Sequence, residues 1–173
     1  MSLEDLEGLL RRYKKAVDDY IDEFLPRAGD RPEVDAFYKM LREYPSRPSK
    51  GLRASLCMMV CEAFGGEWGK SLVAAAGLEL FQNWVLIHDD IEDESEMRRG
   101  KPTLHRLVGL PLAINAGDAL HGKMWELILK GAGLIGEWKT MRILNEFSRM
   151  VNETTEGQHL ELSWVKDGRW NLS

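Results

Sequence analysis

The chain has 173 residues, 44% hydrophobic and 29% charged, with 23 Lys and Arg against 28 Asp and Glu for a net charge of −5. That length and balance describe one soluble globular unit with room for a sizeable core, not a disordered chain. The mild acidity argues against nucleic acid as a partner, because phosphate contacts need a basic face.

Helical periodicity runs through almost every segment. Ser2 is placed to cap a first helix in which Leu3, Leu6, Leu10, Tyr13, Val17, Tyr20 and Phe24 recur every three or four residues, and Pro26 ends it. Asp30 and Pro32 read as the cap and first turn of a second helix, broken by Pro45 and Pro48. Ser49 is expected to cap a third, Lys50 to Phe64, stopped by Gly65-Gly66. A fourth, mostly apolar, runs from near Gly69 to about Glu94. Ser95 to Pro102 is a polar, basic loop, and Thr103 opens a short helix ending at Gly109. Pro111 starts a helix to about Gly133, and a last one runs from about Glu137 to Trp164 before the Asp167-Gly168 turn. No strand-like alternation of useful length, internal repeat or linker interrupts the pattern, so residues 1–173 read as a single all-α unit.

Leu72 to Ile87 is the longest apolar stretch, but Glu79, Gln82 and Asn83 break it and it runs into Asp89-Asp90, so no transmembrane segment is expected. Cys57 and Cys61 share one helix face in poor geometry for a disulfide. They read as reduced core thiols, and with no secretory leader at the start the expected location is cytoplasmic.

The sharpest chemical feature is His88-Asp89-Asp90-Ile91-Glu92-Asp93 at the end of the apolar helix. Asp89 and Asp93 lie one turn apart, separated by about 40° around the axis, with Asp90 beside them. Like charges this close repel, and carboxylates at a helix C-terminus also oppose the macrodipole. A divalent cation offsets both costs, and oxygen-only ligands on one face suit Mg²⁺. The bland alternative is a solvated acidic helix end. Arg98, Arg99 and Lys101 follow within a few residues, either as simple charge neutralisation or as guanidinium forks for a diphosphate that shares the metal. Lys50 and Arg53 share a face at the start of the third helix, a second place for an anion. Gln82 lies two turns before Asp89, and Gln158 and Glu161 lie three apart on the last helix; a satisfied buried amide and a solvated polar face are the plain readings of these. The four His show no metal-site spacing and read as structural or peripheral.

In order along the chain, Lys50-x-x-Arg53, Glu79-Leu80-Phe81-Gln82, Asp89-Asp90-x-x-Asp93, Arg98-Arg99-Gly100-Lys101-Pro102-Thr103, Asn115-Ala116-Gly117-Asp118 and Gly157-Gln158-x-x-Glu161 resemble the motifs of the trans-polyprenyl diphosphate synthases. These are short-chain prenyltransferases, geranylgeranyl diphosphate synthases among them, of the all-α isoprenoid synthase fold. Ser49 stands where the family has glycine, and Glu161 where it has aspartate. The family's Lys-Thr segment and second aspartate-rich motif have no counterpart, so the chain is expected to correspond to the N-terminal half of such an enzyme, with weak activity or none by itself.

The resemblance implies a Mg²⁺-dependent condensation of isopentenyl diphosphate with an allylic diphosphate. It implies metal ligation by Asp89 and Asp93 with Asp90 in support, and allylic diphosphate binding by Arg98. Lys50, Arg53, Gln82 and Arg99 would hold isopentenyl diphosphate, with the Asp89 and Lys50 regions facing one cavity. Trp84 and Val85, just before the aspartates, would limit product length to farnesyl or geranylgeranyl diphosphate, although an ideal helix puts Trp84 almost opposite the acid face. A homodimer is expected through the helices matching Pro111–Gly133 and Glu137–Trp164, whose Met124, Trp125, Leu127, Ile128, Ile143, Leu144 and Phe147 exceed what a half-domain can cover. Three other readings stay open: a terpene cyclase, which binds one diphosphate, a non-catalytic helical subunit, and an unrelated helical bundle with an acidic patch.

Overall fold

The computed structural model describes residues 3–169; the expected Ser2 cap lies outside them. Eight helices follow in order: α1 (Leu3–Phe24), α2 (Pro32–Glu43), α3 (Leu52–Ala63), α4 (Trp68–Glu92), α5 (Leu104–Val108), α6 (Leu110–Lys130), α7 (Ala132–Ile135) and α8 (Glu137–Lys166). Between α4 and α5 lies a short antiparallel hairpin, β1 (Met97–Arg98) and β2 (Lys101–Pro102), where a plain loop was expected. Arg99 and Gly100 both have positive φ, 53° and 78°. Positive φ at both central positions is what a tight two-residue hairpin turn requires, so the turn residues impose pairing that the strand sequence is too short to announce.

The architecture is otherwise the expected all-α array. α4, apolar on nearly every side, is the central rod against which α1, α3 and α6 pack. Its Val73, Ala76, Leu80 and Ile87 join Tyr13, Val17, Met58, Leu120, Met124 and Leu127 in one core. Helix boundaries follow the punctuation in most places. Pro32 sits in the first turn of α2, and Gly65 and Gly66 close α3 by donating to the carbonyls of Glu62 and Cys61. The residue preceding Pro32, Arg31, takes the cap position instead of Asp30 and makes no side-chain cap bond.

The start of α3 departs from expectation. The helix begins at Leu52, not Lys50, and its cap is Gly51 in the left-handed region (φ 58°), not Ser49. A Cβ there would meet the Lys14 side chain at 3.0 Å, and only glycine holds that φ without strain. Lys50 therefore sits on the loop before the helix and Arg53 in its first turn. The helix expected from Pro111 to Gly133 ends at Lys130, just before Gly131, where a Cβ would meet Val73 at 2.5 Å, and a separate turn, α7, follows.

The apolar surplus of α6 and α8 is also distributed differently. Met124, Leu127, Ile128 and Phe147 are buried in the core and Trp125, Ile143 and Leu144 are half-buried, while Leu129, Trp138 and Met141, with Leu134 of α7, are exposed. Cys57 and Cys61 are free and half-buried. Among the described residues no helix is long and apolar enough to cross a membrane.

Candidate functional site

α4, the loop before α3 and the β hairpin together build an open cleft of about 640 Å³. Lys50, Arg53, Gln82 and Arg99, assembled from three sequence segments, all line it, with Glu79 among them. Lys50 and Arg53 are exposed, and Gln82 and Arg99 are half-buried. Burial pushes the Arg99 guanidinium down from its ordinary value, with Glu79 opposing that and Arg98 and Arg47 adding to it. Burial likewise pushes the Glu79 carboxyl up, against the pull of Arg99 and of the Ala54 backbone N–H. Desolvation thus outweighs mutual attraction on both sides of this pair. Three cations and one amide converging on an open volume suit an anion with several oxygens.

A second, smaller cavity of about 200 Å³ lies between α4, α6 and α8, lined by Trp84, Val85, His88, Asp89, Glu92, Asp118, Thr154, Thr155 and Gln158. The Asp89 and Lys50 regions thus line two cavities, not the single one expected. Trp84 and Val85 share the volume with Asp89 because residues 84, 85, 88, 89 and 92 form one broad face of α4 that α8 and α6 leave open. The Trp84 indole stacks on His121 of α6, ring centroids 4.1 Å apart, which turns it toward that face. Gln158 Nε2 donates to Glu92 Oε2 at 2.8 Å, tying α8 to α4 at the rim. Glu161 is exposed and lines neither cavity.

The three aspartates are not equivalent. Asp90 is fully buried. Tyr44 donates its hydroxyl to Asp90 Oδ2 at 2.5 Å, and Arg98 donates through Nε to Oδ1 at 2.9 Å and through Nη2 to the same oxygen. Burial and Asp90 push the Tyr44 phenol up to about 12, so it stays a neutral donor. Asp90 raises the Arg98 guanidinium in turn. Asp89 is half-buried and reached by Arg98 Nη2 at 3.4 Å, and Asp93 is exposed at the α4 C-cap. Burial, reinforced by the Asp93 charge and opposed by Arg98, pushes the Asp89 carboxyl above the usual range.

Among the described residues no three His, Cys, Asp or Glu side chains gather into a cage for a metal. With Asp90 committed to Tyr44 and Arg98, Asp89 and Asp93 remain. Two carboxylates one turn apart, one of them discouraged from ionising by the other, fit Mg²⁺, which takes one or two carboxylates and keeps water and phosphate oxygens for the rest.

The motif reading gave no role to Tyr44 and Arg47, which hold the hairpin, to His88 and Asp118, which wall the second cavity, or to His121, which stacks on Trp84. Gly117 was a usable signal. A Cβ on it would meet His88 Nε2 at 2.6 Å, so the small residue of Asn115-Ala116-Gly117-Asp118 admits the His88 ring between α4 and α6.

Comparison with known proteins places this geometry. The polyprenyl synthetase family model matches residues 34–173. Geranylgeranyl pyrophosphate synthase of Geoglobus acetivorans is 35% identical over 159 residues, covering 92% of this chain and 48% of that protein. Geranylgeranyl diphosphate synthase of Methanosarcina mazei is 34% identical over 164 residues, covering 95% and 49%. The crystal structure of geranylgeranyl pyrophosphate synthetase from Pyrococcus horikoshii matches with a TM-score of 0.82 at 34% identity, over 94% of this chain and 49% of that one. The chain therefore spans about half the length of the curated relatives it matches. The family match takes in every residue that lines the two cavities, and by it the chain belongs to the polyprenyl synthetase family.

Proposed function

We propose that the protein is a prenyltransferase that condenses isopentenyl diphosphate with an allylic diphosphate to farnesyl or geranylgeranyl diphosphate. The observation that carries this reading is the grouping of Lys50, Arg53, Gln82 and Arg99 around one cleft, apart from Asp89, which lines a second cavity and lies 3.4 Å from Arg98 Nη2. Two separate anion-binding regions suit two diphosphate substrates, whereas a cyclase needs one.

In this reading Lys50, Arg53 and Arg99 neutralise the diphosphate of isopentenyl diphosphate, and Gln82 donates its amide to a remaining oxygen. Asp89 and Asp93 hold Mg²⁺ at the other site, which would neutralise the charge that grows on the allylic diphosphate as its C–O bond breaks. Arg98 lies beside Asp89 to bind the same leaving group, held in place by Asp90 and Tyr44. A carbon–carbon bond forms between the allylic carbon and the isopentenyl alkene, and a proton leaves the isopentenyl unit. Trp84 and Val85, with His121 behind the indole, wall the space open to the growing chain and exclude water. We propose cytoplasmic location and a homodimer through α6 and α8, where Leu129, Trp138 and Met141 are exposed.

Residues 1–173 alone are expected to turn over weakly or not at all. α3 leaves Leu52, Leu56, Val60 and Phe64 bare in a row, the last 89% exposed, beside the proposed isopentenyl diphosphate cleft. The test is product analysis with an allylic diphosphate, with and without isopentenyl diphosphate, in the 173-residue chain and in a polypeptide continued to the relatives' full length. Condensation by the longer protein that requires both substrates and Mg²⁺ is the expected result. Cyclic hydrocarbon from the allylic diphosphate alone would overturn the reading.

A further inference from the structure

We infer that Arg47, which belongs to none of the motifs, is a positioning residue for isopentenyl diphosphate: it staples the hairpin that carries Arg99 into the cleft. This rests on the reading of that cleft as the isopentenyl diphosphate site.

Arg47 is 1% exposed, the largest side chain among those fully buried. A buried guanidinium is costly unless its charge is paired and its N–H groups are used. Glu43 supplies the charge, with Oε1 accepting from Nε at 3.2 Å and Nη2 at 3.1 Å. The Tyr44 ring lies under the guanidinium, 4.4 Å from its centroid. The other two bonds go to main-chain carbonyls on either side of one turn. Nη1 donates to Arg98 O in β1 at 2.9 Å, and Nη2 to Pro102 O in β2 at 2.7 Å.

Between those two carbonyls sit Arg99, Gly100 and Lys101. Arg99 is one of only two non-glycine residues with positive φ among those described, at 53°. A left-handed residue with a side chain is strained and persists only where its surroundings over-determine it. Strands of two residues cannot supply that by themselves. The Arg47 fork can, because it fixes the separation of the two strands at the mouth of the turn. The consequence reaches both sites: consecutive residues of the hairpin send Arg98 to Asp90 and Asp89, and Arg99 into the cleft. Arg99 also donates to Tyr44 O at 3.3 Å, so the same short segment steadies the backbone and the side chain.

Space-filling alone would make methionine a fair substitute for Arg47 and would leave no special relation to Arg99. Stapling makes a sharper claim: Arg47 acts on isopentenyl diphosphate through Arg99 and not through Lys50. Isopentenyl diphosphate is titrated calorimetrically into the 173-residue chain in buffer containing EDTA, since no residue of the cleft calls for metal. The proteins are the parent, Arg47→Met, Arg99→Ala, Lys50→Ala and the two doubles containing Arg47→Met. Arg47→Met is expected to weaken binding by about tenfold, the worth of one charge-assisted contact. With Arg99 already alanine the same change should weaken it by less than about twofold, whereas with Lys50→Ala the tenfold loss should remain. Arg47→Lys should not rescue, because an ammonium cannot present the planar fork. Equal losses in both double mutants, or parent-like binding by Arg47→Met, would overturn the inference while leaving the site reading intact. Absence of binding by the parent would instead remove the site reading and the inference with it. If circular dichroism shows Arg47→Met unfolded, Glu43→Gln takes its place in both cycles, loosening the guanidinium from a partly exposed position with the same pattern expected at a smaller amplitude.

Discussion

At the scale of single residues, identity and spacing located most of the proposed chemistry, but burial assigned the roles. Lys50, Arg53, Gln82 and Arg99 were legible because each belongs to a short motif, and the structure brings all four to one cleft. The resemblance already gave Asp90 the supporting role, but what sets it apart from Asp89 and Asp93 was not legible. It depends on Tyr44, 46 residues away, reaching Asp90 across the core. Glu79 shows why a carboxylate inside an anion site matters. Burial raises its carboxyl, so its contribution to stability is complete below the ordinary value of 4.5 and is lost as pH rises through the raised value of the folded state. Glu79→Gln should therefore melt with the parent at roughly pH 4 and above it at about pH 8. A parent that stays the more stable at high pH would show that attraction to Arg99 outweighs burial. For Trp84, the stack on His121 resolves the helix-wheel conflict in favour of the cavity. In a catalytically competent full-length protein, Trp84→Ala should lengthen the products and cost about 3 kcal/mol of stability, measured by chromatography and denaturation. An unchanged product distribution would remove Trp84 from the cavity floor.

At the scale of elements, periodicity and Pro/Gly punctuation placed every helix but α7, which follows Gly131, a position where tertiary packing on Val73 leaves no room for a side chain. The start of α3 was misplaced because of packing from a distant segment. Ser49 looks like a cap locally, yet the approach of Lys14 and the left-handed turn select Gly51. The hairpin was invisible because two residues per strand carry no alternation, and its pairing comes from Arg99-Gly100 and from Arg47. That dependence is testable at Gly100. A Cβ there would meet nothing within 4 Å, so Gly100→Ala isolates the cost of its φ of 78°. It should destabilise the chain by about 1 kcal/mol, lowering Tm by roughly 2–4 °C. No change in the melting curve would mean that the turn is held without help from its glycine.

At the scale of the whole molecule, the all-α array was readable from continuous helical period, whereas which apolar residues stay bare was not. Periodicity marks an apolar face without saying whether the next helix covers it. Met124, Leu127, Ile128 and Phe147 went to the core, and Leu129, Leu134, Trp138 and Met141 did not. That remaining surface predicts a homodimer by light scattering. A clean monomer at high concentration would contradict it, and so would a dimer undisturbed by Trp138→Glu and Met141→Glu together.

The account stands on two diphosphate sites with different needs. Calorimetry of the 173-residue chain with isopentenyl diphosphate in EDTA, comparing the parent with Lys50→Ala/Arg53→Ala and with Asp89→Asn/Asp93→Asn, tests this most directly. One metal-independent site per chain is expected, lost in the first variant and kept in the second. Binding that needs Mg²⁺ and the aspartates, and survives loss of Lys50 and Arg53, would contradict it.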